Sequence, residues 1–225
     1  MTKRMILPLL FGIIGCAILI SLGVWQVNRL AWKEAMLSEI DARIATAPVA
    51  LPDNPDPDAH TFLPVQATGT YGTDYIRVLV SQKQIGAGYR IISPFVTDGR
   101  TIMVDRGILP IEEDTPPPAP TGEVVVAGNI HWPQEVDSYT PEPDEARNIW
   151  FARDVDRMAA TLGTEPVLLI LRNATPATPQ ITPLPVSRAG IPNDHLSYAI
   201  TWFSLAVIWF GMTVFLLWRI RQRTV

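Results

Sequence analysis

The sequence predicts an α+β membrane protein, with two transmembrane helices flanking one external, mostly antiparallel β domain that carries a short helix. Three observations predict it. Met5 to Trp25 and His195 to Trp218 are uncharged apolar runs, and about 20 such residues at ~1.5 Å rise cross a ~30 Å hydrocarbon core. All 22 Asp and Glu lie between the runs with 13 of the 18 basic residues, a net charge of −9, whereas the short tails carry only Lys3, Arg4, Arg219, Arg221 and Arg223. The intervening segment alternates β-branched stretches with turn residues.

The expected division is a tail at 1–4, a transmembrane helix at 5–25, an external domain at 26–194, a second transmembrane helix at 195–218 and a tail at 219–225. Short basic tails stay on the cytoplasmic side, so both termini are expected inside, with the domain in a periplasm or an intermembrane space. No Arg- and Ser-rich amphipathic leader precedes the first run, which favours a bacterial inner membrane. A cleaved signal peptide would need a shorter run and a small-x-small site after it. Ile13-Ile14-Gly15-Cys16 resembles a lipoprotein cleavage box, but the apolar run continues to Trp25. Cys16 is the only cysteine, so the domain has no disulfide or thiolate metal site. The acidic domain excludes a nucleic-acid partner, which needs a basic face, and leaves the lipid bilayer as the first partner. Gly12, Gly15, Cys16 and Gly23 thin one side of the first helix and suit close packing of the second.

Within the domain, Ala31 to Ile44 continues the first helix. Pro48 to Asp58, with four prolines and three aspartates, reads as a linker. Six strands follow: Phe62 to Tyr71, Tyr75 to Val80, Tyr89 to Val96, Thr101 to Val104, Val124 to Ala127 and Val167 to Leu171. Gly72-Thr73-Asp74, Gly86-Ala87-Gly88, Asp98-Gly99 and Thr121-Gly122 punctuate them. Ala152 to Leu162 reads as the short helix, with Asp154 near its start and Gly163 ending it. Such a pattern suits an antiparallel sheet or a small barrel. Pro116 to Pro120 and Pro176 to Pro192 read as extended surface segments.

Catalytic motifs are absent, and no enzyme activity is expected. Gly86-Ala87-Gly88 lacks the third glycine of a dinucleotide loop and reads as a hairpin turn. Asp105-Arg106 at a strand end reads as a structural ion pair rather than a catalytic one. Asp154 and Asp156, two apart, point to different sides of a helix. His60 reads as solvated and His131 as a loop histidine. His195 differs: it stands at the outer mouth of the second helix, in line with Tyr198, Ala199, Trp202, Ala206 and Trp209. Interfacial anchoring explains Tyr198 and Trp202 but not Trp209, deeper in the span. An imidazole can ligate haem iron, and an apolar helix face can hold a flat ring or an isoprenoid tail. Haem or quinone contact therefore stands beside plain anchoring.

Several blocks resemble a known family. Leu22-Gly23-Val24-Trp25-Gln26-Val27-Asn28-Arg29-Leu30-Ala31-Trp32-Lys33 resembles the opening signature of the surfeit locus protein family, the cytochrome c oxidase assembly factors. Gly69-Thr70-Tyr71 and Gly86 to Pro94 resemble its next two blocks. Val104-Asp105-Arg106-Gly107-Ile108-Leu109-Pro110 follows the family's pattern with Ile108 where tryptophan is usual. Asn193-Asp194-His195-Leu196-Ser197-Tyr198-Ala199-Ile200-Thr201-Trp202-Phe203 follows it with Asp194 where a second asparagine is usual.

The resemblance implies binding of haem A and assistance in its insertion into cytochrome c oxidase subunit I, with haem A synthase as a further partner. It also implies His195 as ligand of the haem iron, with Tyr198 and Trp202 below it. Arg29 and Arg188, close in depth to His195, could pair with haem propionates; lipid headgroups are the other partner open to Arg29. The alternative is a membrane scaffold that stabilises an oxidase assembly intermediate without direct haem transfer.

Overall fold

The computed structural model describes residues 3–82, 86–113, 115–187 and 193–222. They divide into two compact units, one within 1–39 and 188–225 and the other at 40–187. Helix α1 is Lys3–Ile44 and helix α2 is Pro57–His60. Strands β1 to β6 are Pro64–Tyr71, Ile76–Gln82, Gly86–Thr97, Arg100–Pro110, Val124–Ile130 and Ile149–Trp150. Helix α3, Val155–Leu162, then precedes strand β7, Leu168–Thr175, and helix α4 is His195–Gln222.

In the first unit, α1 and α4 are long and apolar enough to cross a membrane, with mean hydropathies of 2.6 and 2.0 over their most apolar stretches. They pack through the small-residue side of α1. A Cβ on Gly15 would lie 2.2 Å from Trp209 Nε1, and one on Gly12 would lie 2.1 Å from Thr213 Cγ2. Trp209 fills this gap and also meets the Phe11 ring at 5.3 Å. Cys16 Sγ donates to the Ala206 carbonyl at 3.8 Å. Cys16 is a packing residue, as expected. Gly15→Leu should push Trp209 out of its seat and lower cross-linking between cysteines placed at the α1–α4 contact several-fold, because close approach is what joins apolar helices in lipid. Unchanged cross-linking would show that the helices tolerate the bulk.

In the second unit the strands run in the order β1-β5-β7-β4-β3-β2-β6, and a further β1–β3 pairing closes β1, β5, β7, β4 and β3 into a ring. The barrel is mostly antiparallel, as expected, but β4–β7 and β2–β6 are parallel. Closure depends on Gly69. Its backbone approaches β3 so closely that a Cβ would lie 2.0 Å from the Val96 carbonyl oxygen.

Alternation along the strands builds two cores. Ile102 and Val104 of β4, with Leu169 and Leu171 of β7, join Val65, Phe95 and Val126 in the first. Met103, Leu168 and Ile170, one residue out of phase, join Trp150 and the α3 residues Val155 and Met158 in the second. These strands are therefore buried on both faces, which explains their near-continuous apolar runs. Helix α3 begins where its cap allows: Asp154 accepts a hydrogen bond from the Arg157 amide at 3.1 Å, and Gly163 takes the left-handed conformation that ends it.

Several expectations need correction. Among the described residues the domain has seven strands and a second, one-turn helix. Helix α2 lies at the end of the expected linker, capped by Asp56, whose side chain accepts from the Ala59 amide. The linker itself is partly structured, because Val49 bridges Val65. Strand β4 runs on to Pro110 and β7 to Thr175. Gly86 to Gly88 do not form a turn. They open β3, paired with Val80 to Gln82; residues 83–85 lie outside the described residues. The segment after β7 is not wholly superficial, because Ile181 is buried with Ile91 and Leu109 and Thr182 bridges Ile108.

Candidate functional site

The histidine singled out by the sequence, His195, is the first residue of α4. Its imidazole is half-buried, and Nδ1–H donates to Gln26 Oε1 of α1 at 2.8 Å. This bond sets the tautomer: Nε2 carries the lone pair, and no described residue engages it. Gln26 is itself buried, 8 % exposed. Asn193, two residues before His195, has a buried Oδ1 without a hydrogen-bond partner among the described residues. The junction thus holds an oriented imidazole, a buried amide that fixes it and an unmet acceptor nearby.

The other predicted site residues are placed differently. Tyr198 is exposed, one turn along α4. Trp202 is half-buried. Ala199 and Ala206 are buried, so the lower part of the aromatic stripe, with Trp209, is taken up by contact with α1. Arg29 is exposed, its guanidinium lying 4.0 Å from the centre of the Trp32 ring. Arg188 lies outside the described residues. Gln26 was not singled out by sequence reasoning. The signal was present: it is an amide at the end of an apolar run, three residues before Arg29 and on the glycine-lined side of α1.

In the barrel domain, Asp105 and Arg106 do not pair with each other, against expectation. Successive strand residues face opposite ways. Asp105 points to Arg90, 2.5 Å from Oδ2, and to Arg153 at 3.7 Å. Its Oδ1 accepts from the Gly107 amide at 3.1 Å. Arg153 is also paired with Glu135. Burial pushes the Glu135 carboxyl up, but the Arg153 hydrogen bonds and charge outweigh it and hold it below the usual carboxylate range.

The remaining histidines are not free loop groups either. His60 Nδ1 accepts from the Asp56 amide at 2.9 Å. His131 stacks on Phe62, ring centres 4.8 Å apart, and its buried Nδ1 has no partner among the described residues. Burial first, then the Arg153 charge, push its pKa down to about 4. No group of three or more His, Cys, Asp or Glu is gathered for a metal ion among the described residues.

Comparison with known proteins gives one consistent result. The SURF1 family pattern matches residues 13–207. The chain is 32 % identical over 224 residues to a SURF1-like protein of Drosophila melanogaster, covering 86 % of this chain and 73 % of that protein. It is 30 % identical over 218 residues to Surfeit locus protein 1 of Homo sapiens, covering 84 % and 72 %. A SURF1-like protein of Monosiga brevicollis is 30 % identical over 220 residues, covering 87 % and 82 %. The matched region runs from α1 through the barrel to the middle of α4, and the chain belongs to the SURF1 family.

Proposed function

We propose that this protein is a cytochrome c oxidase biogenesis factor that binds haem A at the α1–α4 junction and assists its insertion into oxidase subunit I. The family is known for cytochrome c oxidase assembly, which supports the coarser part of this reading. The finer part rests on one observation, the imidazole of His195 held through Nδ1 by Gln26.

The residues present fit such a group. A haem supplies an iron that accepts an axial nitrogen and two carboxylates that need counter-charges. His195 presents Nε2 with its ring already oriented, since a hydrogen bond on the far nitrogen fixes tautomer and direction and raises ligand basicity. The exposed Tyr198 ring and the half-buried Trp202 offer apolar surface along the same helix. Arg29 is open for a propionate or for a lipid headgroup. The wholly basic tails favour both termini in the cytoplasm, with the barrel domain outside a bacterial inner membrane, where subunit I and haem A synthase would meet it.

The test is the absorption spectrum of the protein purified from cells that make haem A. His195→Ala should lose most of the bound haem, whereas Gln26→Leu, which keeps the ligand but frees the ring, should lower affinity about tenfold. His60→Ala should leave the spectrum unchanged. If His195→Ala binds haem as well as the parent with the same spectrum, the ligand assignment is wrong and the scaffold reading replaces it.

A further inference from the structure

Arg106 is the buried charge that the fold leaves unbalanced. It is 5 % exposed, and no carboxylate among the described residues pairs with it. Its Nη2 donates to Thr178 Oγ1 at 3.1 Å, and its guanidinium lies 5.5 Å from the centre of the Tyr71 ring. One residue earlier, Asp105 serves two guanidinium groups on the opposite side of β4. An arginine cannot shed its proton to escape burial, and a buried charge is ordinarily paired. Burial pushes its pKa down, against the pull of Tyr71.

Arg106 lines a cavity of about 430 Å³ between the turn after β1 and the proline-rich segment before β5. That volume falls within the range of small-molecule sites. Tyr75, Pro118 and Pro120 line it with apolar surface, and Ser93 adds a hydroxyl. The Tyr71 phenol, pushed up to about 12 chiefly by burial, stays neutral at physiological pH and does not compete as an anion.

We propose that this cavity is a binding site for a small organic monocarboxylate, whose carboxylate sits on Arg106 and whose apolar body lies against Tyr75 and the prolines. A planar guanidinium matches a carboxylate through paired hydrogen bonds. The cavity is also lined by Asp74, and the segment between the apolar runs carries a net charge of −9; both work against a doubly charged anion such as phosphate. The site lies wholly within the barrel domain and does not depend on haem at the α1–α4 junction.

Fluorine NMR of the full-length, detergent-solubilised protein with para-fluorobenzoate tests the proposal. Saturable binding is expected, absent for the neutral para-fluorobenzamide and displaced by unlabelled benzoate but not by equal phosphate. Arg106→Gln should weaken binding on the order of tenfold or more through loss of the charged pair. Ala119→Trp, at a cavity-lining position, keeps the guanidinium, fills the space and should also abolish binding. It decides the matter if Arg106→Gln does not fold. No saturable binding to the parent, equal binding to the amide, equal displacement by phosphate, or binding that survives Ala119→Trp would each overturn the proposal and leave Arg106 a structural cation.

Discussion

Asp105→Ala is expected to cost the barrel domain about 3–5 kcal/mol, because it strands Arg90 as an uncompensated buried charge and leaves Arg153 with Glu135 alone. The Asp105 side chain is fully buried, and those of Arg90 and Arg153 are 9 % and 12 % exposed. Its second oxygen also holds the amide of Gly107, whose φ of +122° only glycine adopts readily. Domains of this size are stable by ~5–15 kcal/mol in total, so the variant should lose most cooperative unfolding. Asp105→Asn keeps the shape and the Gly107 bond, and should cost less but still more than 1 kcal/mol or so. Denaturant unfolding of the full chain, followed by near-ultraviolet circular dichroism, measures both. A midpoint unchanged in the alanine variant would mean that water reaches the two guanidinium groups.

A second large effect should appear with pH. His131 keeps a pKa of about 4 in the fold against an ordinary 6.5, through burial first and the Arg153 and Arg90 charges next, partly opposed by Glu135. As pH falls through 6.5 the unfolded chain takes up a proton that the folded chain refuses until about 4. The stability from the neutral ring is thus complete above 6.5 and lost progressively down to about 4. That interval corresponds to at most about 3 kcal/mol; allowing for solvent access to the ring, about 2 kcal/mol is expected. His131→Phe keeps the stack on Phe62 and removes the titration. Its thermal midpoint should change little between neutral pH and pH 4.5 or so, where the parent falls by several degrees. Parallel curves for the two proteins would show that other groups cause the acid loss.

What the sequence disclosed depended on how local each signal was. The two long helices follow from runs of apolar residues that need no partner to be recognised. Helix α3 was legible because Asp154 and Gly163 bracket it, and β2 because Ile76-Arg77-Val78-Leu79-Val80 favours an extended chain. Helix α2 and β6 are too short for any periodicity to register. Ring closure rests on Gly69 meeting Val96, a contact between residues far apart in the chain. The partners of Asp105 were hidden for the same reason: Arg90 and Arg153 lie on either side of it in sequence, whereas Arg106 beside it faces away. At the helix pair, the sequence singled out His195 and the resemblance named its flanking residues. Gln26 carried a sequence signal in its place on the glycine-lined side of α1, but its bond to His195 depends on α1 and α4 lying side by side, a pairing that neither helix's sequence states.

The place of β7 has a consequence for how the protein is made. In the ring it lies between β5 and β4, yet it is the last strand of the domain to be synthesised, directly before the chain reaches α4. Until residues 168–175 emerge, β5 and β4 are free edges, and unpaired edges invite association with other chains. The nascent domain therefore remains an open sheet through nearly all of its synthesis and becomes a closed barrel only as the second apolar helix is about to follow. A ribosome stalled before Leu168 would leave a sticky half-product, whereas one stalled a few residues beyond Thr175 would leave a sealed one. Quality control acting on this chain would have its clearest signal in that short interval.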